Sequence, residues 1–172
     1  MNVVLIGYRG TGKSSIAQVV GRALGRDVVS LDAEIIRAAG CAIPEIVQVH
    51  GWPHFRDLEE RVCREFAAKD GLVLDCGGGV VEREANFAEL RRNGLVFWLK
   101  AATATIAARI GGNSQRPSLT SGKSFIEEIE EVLARRTPLY ERLAHFAVAT
   151  DQRSPEEISR EIVANFQQGG AS

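Results

Sequence analysis

Eight consecutive residues, Gly7-Tyr8-Arg9-Gly10-Thr11-Gly12-Lys13-Ser14, fit the pattern G-x-x-x-x-G-K-[ST]. Glycines at those places let successive backbone N–H groups turn toward an anion, the lysine supplies positive charge, and the serine hydroxyl can ligate Mg²⁺. Short Gly-rich turns between strand and helix also occur without a ligand. The full pattern gains weight from its flanks, because Val3-Val4-Leu5-Ile6 reads as a buried strand and an amphipathic run follows. ATP or GTP is therefore expected here, held by Gly10, Thr11, Gly12, Lys13, Ser14 and Ser15.

Phosphoryl transfer also requires help for Mg²⁺, an oriented acceptor and positive charge on the moving group. Leu72-Val73-Leu74-Asp75 is an apolar run ending in a carboxylate, so Asp75 could hold Mg²⁺ or one of its waters. Asp32 follows a second apolar run and could accept a proton from a substrate hydroxyl. A lone Asp at this place is also the ordinary N-cap of a helix beginning at Ala33. Gly77-Gly78-Gly79 marks a place where backbone must approach something closely. Arg56, Arg109, Arg116 and Arg136 are scattered, and their spacing alone assigns none of them.

These groups need elements to position them. Ile16, Val19, Val20, Ala23 and Leu24 recur at helical spacing, and Gly25 offers a stop. Val28 to Leu31, Leu72 to Leu74, Leu95 to Leu99 and Phe146 to Ala149 read as further strands separated by helical patterns. That alternation implies parallel strands joined by right-handed crossovers, with a ligand at their carboxyl ends. Between Ile126 and Arg136 the pattern places Ile126, Ile129, Val132 and Leu133 on one helix face, with Glu127, Glu128, Glu130 and Glu131 on a solvated one. Ser154-Pro155-Glu156-Glu157 has the grammar of a helix start. Two stretches read as irregular: Cys41 to Phe55, where Gly51 and Pro53 argue against His50 and His54 sharing a helix face, and Gly111 to Lys123, a candidate lid.

The whole chain of 172 residues is expected to form one domain, 1–172. Apolar residues make up 45% and charged residues 25%, and no apolar run nears the ~20 residues that span a bilayer. A net charge of -1 without charge blocks lacks the footprint of a dedicated nucleic-acid or membrane-surface binder and favours a small-molecule substrate. Cys41, Cys63 and Cys76 cannot all pair and show no C-x-x-C spacing, which suits reduced thiols in a cytoplasmic protein.

Taken in order, the phosphate loop, Asp32, Phe55-Arg56-Asp57-Leu58-Glu59-Glu60, Gly77-Gly78-Gly79, Arg116-Pro117 and Arg136-Thr137-Pro138-Leu139-Tyr140 resemble shikimate kinase over nearly the whole chain. The resemblance implies a P-loop, nucleoside-monophosphate-kinase-like α/β/α fold with a five-stranded parallel sheet in order 2-3-1-4-5. It implies transfer of the γ-phosphate of ATP, with Mg²⁺, to the 3-hydroxyl of shikimate by a monomer. Carried over by position, Lys13, Asp32 and Arg116 are the expected catalytic residues, Asp32 contacting the acceptor hydroxyl and Arg116 reaching the phosphates from a lid at 111–123. Arg56 and Arg136 resemble the arginines that clamp the shikimate carboxylate, a match for guanidinium forks. Phe55, in a substrate-binding segment at about 33–60, and Gly77, Gly78 and Gly79 beyond it are expected at the substrate. Arg109 and Pro155 match positions that border the adenine.

Two residues depart from the family's pattern. Its usual Asp-x-Asp at the end of the second strand is Ser30-Leu31-Asp32 here, and Asp75 stands where a small or hydroxyl residue is usual. The carboxylate is expected to have changed strands, with Asp75 and Ser14 serving Mg²⁺; Asp75 capping a turn is the simpler possibility. Glu59 is expected either to orient Arg56 or to form a surface i,i+3 pair with it. A gluconate kinase shares the nucleotide half and is the competing enzyme. A nucleotide-binding regulatory protein without transfer is the competing class, motivated by Ser30.

Overall fold

The computed structural model describes residues 1–111 and 125–169. Five strands, β1 (Asn2–Ile6), β2 (Val28–Ser30), β3 (Val73–Asp75), β4 (Gly94–Lys100) and β5 (Phe146–Ala149), form one sheet in the order β2-β3-β1-β4-β5. Every pairing is parallel. The expected strand order is observed.

Alternation along the strands creates the layers. Val3 and Leu5 of β1 face one side, joining Ile16 and Val20 of α1 (Lys13–Leu24) and Ile158, Ile162 and Phe166 of α7 (Pro155–Gly169). Val4 and Ile6 face the other, against α2 (Leu31–Ala39), α3 (Ile43–Ala67), α4 (Ala85–Arg92) and Tyr140 and Leu143 of α6 (Phe125–Leu143). A sheet buried on both faces reads as continuous apolar strands, as β1 and β4 do. The remaining helix, α5 (Thr103–Ile110), packs with Tyr8 and the start of α6. No helix of the described residues is long and apolar enough to cross a membrane.

Local rules account for the helix ends. Gly25 closes α1 in the left-handed region at φ 63°. At α7, the Ser154 N–H donates to Glu157 Oε2 at 2.8 Å while the Glu157 N–H donates to Ser154 Oγ at 3.2 Å, a reciprocal capping box. Ser30, and not Asp32, caps α2: its Oγ accepts from the Ala33 N–H at 3.3 Å.

Two sequence expectations are corrected. The stretch Cys41 to Phe55 is mostly helical, from Ile43 onward, with one break at Gly51 (φ 81°, ψ 169°). Buried Ile46 and Phe55 anchor both halves to the core, while Gly51 interrupts the helix at positive φ and Pro53 falls in the first turn after the break, where a proline is tolerated. The break still lets the exposed His50 and His54 rings approach to 4.8 Å between centroids. On α6 the acidic run is not wholly solvated: Glu128 is buried and pairs with Arg9 at 2.9 Å, while Ile126 is exposed. Ile129 and Val132 are buried as expected, and only the edge of the face differs, with Glu128 inside it and Ile126 outside.

Candidate active site

The phosphate loop joins the end of β1 to α1, placing the helix N-terminus at the carboxyl edge of the sheet. Gly10 and Gly12 take φ of 80° and 91°, and a Cβ on Gly7 would lie 2.5 Å from the Leu99 carbonyl oxygen, so the loop's shape requires glycine. Thr11 is buried, and its hydroxyl donates to the Tyr8 carbonyl at 2.8 Å, bracing the loop from within. Lys13 Nζ donates to the carbonyls of Gly7 (2.8 Å) and Tyr8 (3.0 Å). Ser14 Oγ donates to Asp75 Oδ2 at 2.6 Å. A cleft over this loop is lined by Gly10, Gly12, Lys13, Ser14, Ser15, Ser30, Asp32 and Asp75, among others.

A second cleft adjoins the first, lined by Tyr8, Arg9, Asp32, Ile43, Trp52, Phe55, Arg56, Glu59, Gly77, Gly78, Gly79 and Arg136. Arg9, Asp32, Ile43, Gly77 and Gly78 line both, so Asp32 stands at their junction. Arg56 comes from α3 and Arg136 from α6. The first is braced by Glu59 Oε2 at 2.6 Å from its Nη1, the second is 3% exposed. The cleft thus presents the guanidinium groups of Arg56 and Arg136 together with Arg9, which is paired to Glu128, the carboxyl of Asp32 at the nucleotide side and that of Glu59 against Arg56, and apolar walls from Ile43, Trp52 and Phe55.

The three glycines form the floor that these groups lie against. A Cβ on Gly77 would sit 2.6 Å from Asp32 Oδ1, one on Gly78 3.6 Å from Arg136 Nη1, and one on Gly79 would collide with the Arg56 guanidinium. Gly79 has an ordinary φ of -94°, so its requirement is space and not backbone strain. Gly79→Ala should therefore fold, because the tip of a flexible arginine can move aside, but displacing Arg56 should raise the KM for a carboxylated acceptor by about 10-fold. Steady-state kinetics with a thermal melt checks this; an unchanged KM would show that Arg56 does not hold the acceptor where it lies now.

The family model for shikimate kinase matches residues 9–167. The chain belongs to the shikimate kinase family. The shikimate kinase of Thermodesulfovibrio yellowstonii is 38% identical over 166 residues, covering 96% of this chain and 95% of that one. That of Nitratidesulfovibrio vulgaris is 40% identical over 152 residues, covering 87% and 86%. Among solved structures, shikimate kinase from Acinetobacter baumannii in complex with shikimate superposes with a TM-score of 0.92 at 28% identity, over 98% of this chain and 93% of that one. A gluconokinase from Sinorhizobium meliloti has a TM-score of 0.63 at 19% identity over 97% and 91%, a likeness in fold alone.

For a shikimate kinase read from sequence, the structure brings Asp32, Phe55, Arg56, Gly77, Gly78, Gly79 and Arg136 around one cleft and Lys13, Ser14, Ser15 and Asp75 around its neighbour. Arg109 is pinned behind the loop, donating to the Gly10 carbonyl at 3.3 Å, to Thr150 Oγ1 at 3.1 Å and to the Thr150 carbonyl at 2.9 Å. Pro155 opens α7 on the β5 side. Arg116 and the lid residues 112–123 lie outside the described residues. The sequence reading did not single out Tyr140, whose hydroxyl donates to the Gly78 carbonyl, nor Arg9 and Glu82. A signal existed for Tyr140: Glu128, Val132, Arg136 and Tyr140 recur at i,i+4 along a buried face of α6, and polar residues on such a stripe announce a buried polar network.

Glu59 resolves its two sequence readings in favour of the buried one, at 1% exposure. Burial pushes its carboxyl up to about 7 from 4.5, against the charge and hydrogen bond of Arg56, with Asp32 raising it further and Arg136 lowering it. The native state then holds a proton between pH 4.5 and 7 that the unfolded chain has released. This group's stabilisation is full below 4.5 and is lost as pH rises through about 7, by on the order of 3 kcal/mol. Denaturant unfolding at about pH 5 and about pH 8 should show a steeper loss in the wild type than in Glu59→Gln. Equal slopes would mean that Arg56 keeps Glu59 ionised throughout. Cys63, pushed up to about 12 by burial and then by Glu59, Glu89 and Glu60, and Cys76, raised well above the ordinary thiol value by its burial, are not thiolates and take no part.

Proposed function

We propose that this chain transfers the γ-phosphoryl group of ATP to the 3-hydroxyl of shikimate, giving shikimate 3-phosphate and ADP. The observation that carries the reading is the second cleft: two arginines from different helices converge on a small space with apolar walls, and Asp32 stands where that space opens onto the phosphate loop. A small carboxylated ring bearing hydroxyls suits such a space, with its carboxylate on Arg56 and Arg136 and one hydroxyl toward Asp32.

In this reading Arg56 and Arg136 fix the acceptor, and the Gly77 to Gly79 floor allows their close approach. Asp32 accepts the hydroxyl proton as the oxygen attacks in line. Lys13, released from the loop carbonyls, neutralises charge gathering on the transferred group. Tyr8, Ile43, Trp52 and Phe55 keep water from competing as acceptor. Arg116 is assigned to the phosphates by position alone.

The donor set fits Mg²⁺ as a guest of the nucleotide. Among the described residues no group of three or more His, Cys, Asp or Glu could hold a metal by itself, whereas Ser14 and Asp75 offer hard oxygens beside the phosphate loop. Ser14 and Asp75 would hold Mg²⁺ or its waters there, and the ion would supply positive charge that offsets the charge of the phosphates. Asp75 ends β3 in register with Ser30 of β2, so a carboxylate on either strand reaches the same region. Asp75→Asn should weaken Mg²⁺-dependent ADP binding by about 10-fold in calorimetry. Ser30→Asp added to it should restore part of that loss while still capping α2, since Asp caps as well as Ser. Failure of the added acid to restore any affinity would count against the exchange between strands.

A coupled ADP-release assay with ATP and Mg²⁺ tests the function. Turnover is expected with shikimate and not with gluconate or without acceptor. Gluconate turnover would replace the acceptor assignment, and tight ATP binding with no turnover would identify a protein retired from transfer.

A further inference from the structure

Each clamp arginine is backed by a carboxylate, but in different ways. Arg56 is held through Nη1 by Glu59. Arg136 is held through Nε, which donates to Glu82 Oε1 at 2.7 Å. Glu82 closes the 3₁₀ turn Val80–Glu82 that follows the glycine floor, and the same oxygen accepts from Arg135 Nη2 at 2.9 Å. Glu82 is not among the residues lining either cleft. Burial works against its charge, but hydrogen bonds and charge from Arg136, then from Arg135, outweigh this and hold the carboxyl below its usual range. It is therefore an anion throughout the neutral range.

A guanidinium can meet a carboxylate side-on, through Nε and one Nη, or end-on, through both Nη atoms. With Nε–H committed to Glu82, the side-on fork of Arg136 faces away from the cleft. Its Nη1 lies at the glycine floor, 3.6 Å from where a Cβ on Gly78 would be. The Tyr140 hydroxyl, which donates to the Gly78 carbonyl, also lies against this guanidinium. Each Nη carries two N–H groups, so donors toward the cleft remain. We propose that Glu82 is a positioning residue for acceptor binding: by occupying Arg136 Nε it fixes an end-on presentation of that guanidinium to the acceptor carboxylate, from outside the cleft. The proposal rests on the shikimate reading.

The test compares wild type, Glu82→Leu and Glu82→Gln in direct binding of shikimate and of shikimate methyl ester, followed by calorimetry, with a thermal melt of each. Leucine removes the acceptor for Nε and should weaken shikimate about 10-fold, with KM rising more than kcat falls. Glutamine retains an acceptor oxygen and should recover most of the loss, leaving it at about 2-fold, and this arm stands alone if leucine does not fold. Ester affinity should be the same in all three, since the ester presents no carboxylate to Arg136. Shikimate affinity unchanged or tighter in both variants, or an equal loss for acid and ester, overturns the proposal. If wild type binds shikimate while the variants match it, only the role of Glu82 fails. If wild type does not bind shikimate, the acceptor reading fails and takes this proposal with it.

Discussion

Asp32→Asn is expected to lower kcat by about 10²- to 10⁴-fold at saturating shikimate and ATP, with a much smaller change in KM. Asparagine keeps the size of the side chain and can still accept a hydrogen bond through its oxygen, so substrate placement should survive. What it cannot do is take a proton as the acceptor oxygen becomes a nucleophile. The location makes the difference large. Asp32 lines both clefts, sits in the first turn of α2 and is pressed toward the Gly77 backbone, where a Cβ would come within 2.6 Å of Oδ1. A carboxylate held this closely cannot be replaced by a neighbour swinging in. Single-turnover kinetics with an intact melting transition gives the clean measurement. Retention of more than about a tenth of the rate would restrict Asp32 to holding the hydroxyl.

The second large effect falls on binding. Arg136→Ala should raise the KM for shikimate by about 100-fold, corresponding to ~3 kcal/mol, and change the KM for ATP little. Arg136 is 3% exposed, so the lost partner is desolvated and not screened by water. The substitution also leaves Glu82 and the Tyr140 hydroxyl without this guanidinium, which makes the melt of the variant part of the measurement. Arg136→Lys separates charge from geometry: a lysine keeps the cation but offers no planar fork, and should recover less than half of the lost binding free energy. An unchanged dependence on shikimate in the alanine variant would remove Arg136 from the carboxylate clamp.

Much of this was legible in the chain because its information is local. The phosphate loop needs glycine at fixed offsets for its backbone to turn, and Lys13 and Ser14 follow without a gap, so eight adjacent residues carry the nucleotide half. Strand identity and the parallel sheet follow from apolar runs buried on both faces. The carboxylate ending the Leu72-Val73-Leu74 strand could likewise be placed at the ligand edge, and there it meets Ser14. What the sequence could not supply was partnership across distance. Arg56 and Glu59 make the same i,i+3 pattern whether they face water or a buried cleft, and only the packing of α3 against the sheet decides which. Ser30 appeared as a lost acid; in the fold it is the cap of α2, because the chain turns from strand to helix two residues earlier than a cap at Asp32 would require. The helical segments on either side of Gly51 were hidden by Gly51 and Pro53, which keep their local preferences at a single break while the burial of Ile46 and Phe55 holds the turns around it helical. Gly77-Gly78-Gly79 declared a close approach without naming what approaches. Asp32, Arg136 and Arg56 reach that floor from three helices, and Glu82 turns Arg136 toward it, because the tertiary structure brings side chains far apart in sequence within hydrogen-bond reach, a condition no spacing along the chain encodes.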